Sequence, residues 1–288
     1  MARQELKAGD YRISLTPELG GSISRFDWRG QPLFRPTRGP AIFDSACFPL
    51  VPFSNRIAFG RFQVGETIVQ LEPNFPKSDH PHTLHGFGWQ ASWSVEEAAP
   101  NYVRIRHEYR AGAWPWAYAA EQGFYLSETG FRHALRLRNL SDSLMPAGLG
   151  FHPYFVRNRH TVCEILHRGE WTTAEDGLPV SLRRAPKPVD WWHGQSVEKR
   201  CVDTVYTERQ GAISLTWPDH GMNLRIEPCD LLSCTTIYSP AGQNFFCAEP
   251  VSHSTNAINF RSADSGLRWL APGEDMQVHA TYQARKIA

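Results

Sequence analysis

The chain is short of everything that would mark a helical, membrane-spanning or nucleic-acid-binding protein. No window of helical length carries apolar residues at the spacing of a helical stripe, so helix should be scarce. No uncharged apolar run approaches the roughly 18 residues that a membrane helix needs, so no membrane partner is expected. Lys and Arg number 30 against 29 Asp and Glu, a balance that supplies no electrostatic ground for binding nucleic acid or an acidic surface. The six cysteines, at positions 47, 163, 201, 229, 234 and 247, include no Cys-x-x-Cys pair. The opening residues lack the apolar run of a signal peptide, so reduced thiols in a cytoplasmic protein are expected. Gly148-x-Gly150 lacks the third glycine of a dinucleotide loop, and no phosphate-cradling Gly-x-x-x-x-Gly-Lys occurs, which leaves nucleotide chemistry unsupported.

What the chain has in quantity is rings and turn formers. Aromatic residues make up 12%, ten of them Trp, beside 22 Gly and 21 Pro, a composition that favours strands with many connections over a helical bundle. Apolar and polar residues alternate in Tyr11–Leu15, Gly20–Gly30, Val103–Arg106, Phe131–Leu137, Ile213–Trp217, Leu224–Ile226 and Met276–Tyr282. A period of two is what half-buried strands require. One short helical turn is expected near Ser254, ahead of Asn256–Asn259. The pattern predicts an all-β antiparallel sandwich or barrel, and no linker or charge block divides it, so residues 1–288 are read as one domain. The stretches 31–56, 72–90 and 176–200 are polar or proline-rich and are expected to be loops and rims, where functional residues concentrate.

Chemistry is concentrated in a few stretches. In Gly148-Leu149-Gly150-Phe151-His152-Pro153-Tyr154-Phe155 an imidazole sits between flexible glycines and a rigid proline, flanked by rings. His152 could trade protons near neutral pH, although one histidine among apolar residues is as readily a hydrogen-bonded core residue. A second stretch, Phe245 to His253, surrounds Glu249 with apolar neighbours, where desolvation would raise its pKa and suit it to base chemistry. Arg56 ends the apolar run from Phe48, and its fork of donors could hold two adjacent hydroxyls or simply pair with a carboxylate. Asp203, in the apolar run Cys201–Tyr206, is either a ligand acceptor or the counter-charge of an interior arginine. His80, His82 and His85 follow Asp79, but no Glu or Cys completes a zinc pattern; no metal is assigned, and His85 alone is expected to point inward. Trp114-Pro115-Trp116 and Trp191-Trp192 could wall a cleft or pack in the core, Cys247 reads as a small apolar packer, and His253 as a hydrogen-bonding support.

Taken together, these stretches resemble the aldose 1-epimerase (mutarotase) family. The resemblance rests on five anchors in the family's order: Asn55-Arg56, Leu84-His85-Gly86-Phe87-Gly88-Trp89, His152 to Phe155, Asp203, and Glu249-Pro250. It implies a large antiparallel β-sandwich of the galactose mutarotase-like type with a monosaccharide in a cleft on one face. It also implies that Glu249 takes the anomeric proton while His152 protonates the ring oxygen. His85 would stand near that oxygen, Arg56, Asp203 and Trp89 would bind the sugar, and no cofactor would be needed. The Gly-Phe-Gly-Trp after His85 departs from the galactose enzymes, which bears on the identity of the sugar more than on the reaction. A hexose 6-phosphate mutarotase would need clustered cations, for which Arg56, Arg61, Arg157 and Arg159 are the candidates. A glycosidase would use Asp203 and Glu249 as its two carboxylates and leave the histidines without a task. A non-catalytic carbohydrate-binding protein would not need both His152 and Glu249. The assembly is expected to be a monomer or homodimer.

Overall fold

Alternation becomes strand wherever the sequence shows it. In the computed structural model, which describes residues 3–75, 81–260 and 265–287, the strand Gly130–Asn139 buries Phe131, His133, Leu135 and Leu137 and exposes Arg132 and Arg138. Among the described residues helix is confined to three-residue 3-10 turns, one of them Ala257–Asn259 at the expected position, and none is long and apolar enough to cross a membrane. All six cysteines are free.

Pairing is antiparallel throughout the main sheet. Strands Tyr102–Tyr109, Tyr118–Ser127, Gly130–Asn139, Asp275–Lys286 and Met222–Pro228 follow one another edge to edge. The next strand, Asp203–Trp217, changes partner along its length. Its final residues Ile213–Trp217 pair with Met222–Ile226, while Asp203–Tyr206 pair with Thr235–Tyr238 of the strand Cys234–Tyr238. The sheet thus turns a corner and continues through Phe245–Val251, Gly150–Val156 and Cys47–Leu50 to Ser22–Trp28 and Tyr11–Thr16.

The two runs of strands face each other across a ring-filled core. Phe26 and Phe34, from the run that ends near the amino terminus, meet Phe131 and Tyr282 of the other at centroid distances of 5.2 to 6.0 Å. Offset and edge contacts of this kind add to the area effect of burying large rings. This is an all-β antiparallel sandwich. Trp114 and Trp116 belong to its core, packed on Phe62, and Trp192 is buried against Tyr206.

Two of the expected loop stretches contribute strands to the main sheet: Cys47–Leu50 within 31–56, and a longer one within 176–200. Pro179–Asp190, within the stretch 176–200, pairs with Val162–Thr173, and its prolines and exposed arginines hide it from pattern reading. The register slips between Arg184 and Val189, opposite Gly169 and His167, so Pro186 and Pro188 fall in the bulge where no ladder bond is required.

Two core histidines make the fold acid-sensitive. His133 is hydrogen-bonded to Gln122 at 2.9 Å and His167 to Thr235 at 3.1 Å, and burial lowers each pKa to about 3. A depressed folded pKa contributes stability that is complete above the unfolded value near 6.5 and is lost as pH falls, because only the unfolded chain then binds the proton. Each histidine should therefore cost about 1.4 kcal/mol on going from neutral pH to about pH 5.5. In urea unfolding over that interval, His167→Gln should flatten the slope of stability against pH by about one proton; an unchanged slope would refute the assignment.

Candidate active site

Register alone brings the principal side chains together. Gly150 lies opposite Val251 and Tyr154 opposite Cys247, which places His152 across from Glu249; on its other side His152 faces Phe48, and Glu249 faces Thr236. Phe48, His152, Glu249 and Thr236 therefore form one row across four strands. Successive residues of a strand point to opposite faces. Phe151 accordingly reaches the core, its ring 4.2 Å from that of His133, while His152 and Tyr154 face a cavity. Because the cavity face is also shielded, the strand Gly150–Val156 is buried along almost its whole length and shows no alternation.

The cavity encloses about 320 Å³, near the lower end of the size range of small-molecule sites. His152 and Glu249 form part of its lining, with Nε2 and Oε1 3.3 Å apart. The imidazole stacks on Phe48 at 4.4 Å and leans on Tyr154 at 4.7 Å, which fixes the plane of the ring. Burial drives both groups toward their neutral forms. It lowers His152 to about 3, with Arg35 adding to the effect, and raises Glu249 well above the carboxylate range, with the nearby charge of Asp203 adding to it and Arg56 opposing. A single proton divided between the two groups is therefore favoured on Glu249. Among the described residues Oε2 of Glu249 and Nδ1 of His152 have no hydrogen-bond partner, a cost that a polar ligand can offset at the carboxyl end.

His85 enters from a strained turn. It and Asn55 both hold left-handed backbone, φ +59° and +57°, and each fixes the other: the His85 amide donates to the Asn55 carbonyl at 2.9 Å, and the Asn55 amide to His85 Nδ1 at 3.1 Å. Acceptance at Nδ1 puts the proton of a neutral ring on Nε2. The next residue must be glycine, because a Cβ on Gly86 would lie 2.1 Å from the Val51 carbonyl oxygen. His85 joins His152 edge to face at 5.2 Å.

Arg56 and Asp203 complete another part of the lining. Nη2 of Arg56 donates to Asp203 at 2.9 Å and Nη1 to the Asn55 side chain at 3.0 Å. Asp203 is the first residue of its strand and is about one-third exposed, so it is both the counter-charge of the arginine and an acceptor open to a ligand. His253 acts as a support: Nε2 accepts the Ser54 amide at 3.0 Å, and Nδ1 donates to the Ser254 carbonyl at 2.8 Å. Its ring explains Gly148, where a Cβ would lie 2.0 Å from the imidazole.

Trp89 stands apart from the other candidates. It does not line the cavity but lies behind it, its Nε1 donating to the carbonyl oxygens of Gly86 at 3.0 Å and Leu84 at 3.3 Å and its ring packed on Phe43 and Phe48. The indole braces the His85 turn. Trp114, Trp116, Trp191 and Trp192 are likewise absent from the lining. Sequence reasoning passed over Arg35, Phe43, Phe75, Thr236 and Tyr238, all of which line the cavity. For Thr236 and Tyr238 a signal existed, since they alternate on a strand adjoining that of Glu249.

Asp79 and His80 lie outside the described residues. His82 is buried, accepting the Phe59 amide at 3.0 Å and meeting Asp176 at 3.2 Å. One group among the described residues has metal-ligand spacing: His152, Cys247 and Glu249, with ligand atoms within 4.8 Å of one another. A metal-bound cysteine must be a thiolate, and here burial, reinforced by Glu249, raises the Cys247 pKa well above its ordinary value. The grouping suits proton traffic better than a metal.

Comparison with known proteins bears on the family and the fold. The uncharacterised protein YphB of Escherichia coli K12 is 29% identical over 279 residues, covering 93% of this chain and 94% of its own. The structure of the Escherichia coli K12 protein b2544 superposes with a TM-score of 0.88 at 25% identity, over 99% of both chains. That of a galactose mutarotase-like protein from Clostridium acetobutylicum does so at 0.87 and 17% identity, over 98% of this chain and 95% of that one. The family model for aldose 1-epimerase matches residues 3–283, and the chain belongs to that family.

Proposed function

We propose that the protein is a mutarotase, interconverting the α and β anomers of an aldose by opening and reclosing the pyranose ring. The observation that carries this reading is the buried contact of His152 with Glu249, 3.3 Å apart on a cavity of monosaccharide size. Anomer exchange needs one proton removed and one delivered. The carboxylate of Glu249 takes the proton of the anomeric hydroxyl, the C1–O5 bond breaks as C1 becomes a carbonyl, and the imidazolium of His152 protonates O5. Rotation about C1–C2 presents the other face of the aldehyde. Reclosure reverses the transfers: neutral His152 takes the O5 proton, and protonated Glu249 returns one to O1.

The protonation states favour such a cycle. Ring opening leaves Glu249 protonated and His152 neutral, the pair of states that burial prefers. The other half of the cycle uses the ion pair, reached by moving one proton across the same contact without exchange with solvent. In this reading His85 stands near O5 and Arg56 with Asp203 binds hydroxyls, which is supported by the presence of all three in the cavity lining.

Polarimetry of freshly dissolved α-D-glucose and α-D-galactose should show the wild-type chain hastening the approach to anomeric equilibrium. Glu249→Gln, of nearly the same shape, should lower kcat by about a hundred- to ten-thousand-fold. A wild-type rate equal to the spontaneous one for every aldose offered would end this reading in favour of a sugar-binding protein.

Asp203→Asn separates binding from chemistry. Losing a charged acceptor should raise KM about tenfold or more. Removing the negative charge beside Glu249 should also shift the pH profile of activity to lower pH, because Asp203 helps to raise the Glu249 pKa. A profile that does not move would show that Asp203 has no hold on the base.

A further inference from the structure

Arg35 is a buried cation with no acid in ion-pair contact with it among the described residues. Its backbone amide donates to the Tyr154 carbonyl at 2.6 Å, beside the isolated bridge between Phe34 and Phe155, so the chain is fixed where the side chain enters the cavity wall. The guanidinium, in a residue only 4% exposed, lies 3.8 Å over the Tyr154 ring and 4.6 Å over that of Phe245. Nη2 donates to the carbonyl oxygens of Phe43 at 2.7 Å and Ser45 at 2.9 Å. Nε is buried without a partner, and Nη1 donates to no protein acceptor among the described residues.

An arginine keeps its charge even where burial lowers its pKa, as it does here, and contact with ring faces offsets only part of the cost of leaving water. Asp44, the acid whose field reaches Arg35, is engaged with the Ala41 amide at 3.2 Å. Elsewhere in the lining the charges cancel: Arg56 is paired with Asp203, and His152 with Glu249 holds a neutral arrangement. The cavity therefore carries one uncompensated positive charge.

The arginines that a phosphate site could have drawn on do not gather here. Arg61 lines a separate hollow with Phe62 and Gln70, Arg157 is bound to Ser239, Pro240 and Gln243, and Arg159 is exposed. Arg38 is exposed, bonded to Asn244, and 5.8 Å from the Phe245 ring. We propose that Arg35 adapts the cavity to aldoses bearing a single negative charge, a sugar carboxylate such as a uronate, an oxygen of which accepts from its Nη1. A charge-assisted hydrogen bond to an ionised acceptor is stronger than one to a neutral hydroxyl, which favours the carboxylate over the uncharged sugar. A phosphate dianion would leave surplus negative charge near Asp203 and Glu249. Turnover of such a sugar rests on the mutarotase reading above; its binding does not.

Anomer exchange of D-glucuronate, D-glucose and D-glucose 6-phosphate should be compared by NMR, with calorimetric binding of glucuronate measured in parallel on wild type, Arg35→Met and Arg35→Lys. Wild type should favour glucuronate over glucose in kcat/KM by about tenfold to a hundredfold, Arg35→Met should bring that ratio to about one, and Arg35→Lys should keep part of it. A wild-type ratio of one or less, or a ratio that survives Arg35→Met, overturns the assignment. Glucose 6-phosphate turned over better than glucuronate overturns the single-charge assignment. If Arg35→Met does not fold by circular dichroism, the wild-type ratio and Arg35→Lys decide. If no sugar is turned over and glucuronate still binds wild type but not Arg35→Met, the mutarotase reading fails and the role of Arg35 stands; if glucuronate does not bind, that role falls whatever the turnover.

Discussion

The site depends on one cross-strand register. Because Gly150 faces Val251 and Tyr154 faces Cys247, an imidazole and a carboxyl group are held opposite each other on a sheet buried on both faces. A slip of one residue would turn His152 and Tyr154 into the core and present Phe151 and Phe155 to the cavity. The ring-packed interior resists such a slip: Phe151 is seated on His133, and Phe155 lies between Phe34 and Phe246. The sandwich core and the His152–Glu249 pair are two faces of the same strands. Stability and chemistry are therefore secured by the same contacts.

Around that rigid row the remaining parts are set by strain and close approach. Asn55 and His85 each adopt left-handed backbone, at a cost on the order of 1 to 3 kcal/mol apiece, and the two hydrogen bonds between them hold both in place. Gly86 lets the turn close on Val51, Trp89 braces it from behind, and the His253 ring fills the space left by Gly148 while holding Ser54. The glycines and the second histidine of the sequence motifs thus act at one remove. They aim His85 and Arg56 and leave the chemistry to others.

How much was legible followed from whether a feature is local. Strands with one wet face, such as Gly130–Asn139, announce themselves by alternation, and His152 and Glu249 stand out as polar groups in apolar company. Pro179–Asp190 was hidden because an edge strand tolerates prolines in a bulge, a permission granted by its neighbour and not by its own sequence. Trp89 shares a motif with His85 and meets it edge to face at 6.5 Å, yet only the histidine lines the cavity, a difference that adjacency in sequence does not reveal. Arg35 sits in a stretch without periodicity. What sets it apart is that no acid among the described residues is in ion-pair contact with it, which only the folded arrangement around Tyr154, Phe245 and Asp44 can establish.

Charge accounting gives the cavity a coherent logic. A buried carboxyl and imidazole that hold one proton between them can pass between a neutral and an ionic arrangement by moving that proton, and the proposed reaction would use both arrangements. Burial strengthens the effect of every fixed charge nearby. Asp203 opposes ionisation of Glu249, and Arg56 favours it, so the pair they form sets the base while remaining open to hydroxyls. Arg35 opposes protonation of His152. An anionic substrate placed against Arg35 would cancel that opposition, making the imidazolium easier to form at the moment the sugar is bound. Binding and proton transfer would then be coupled through one guanidinium.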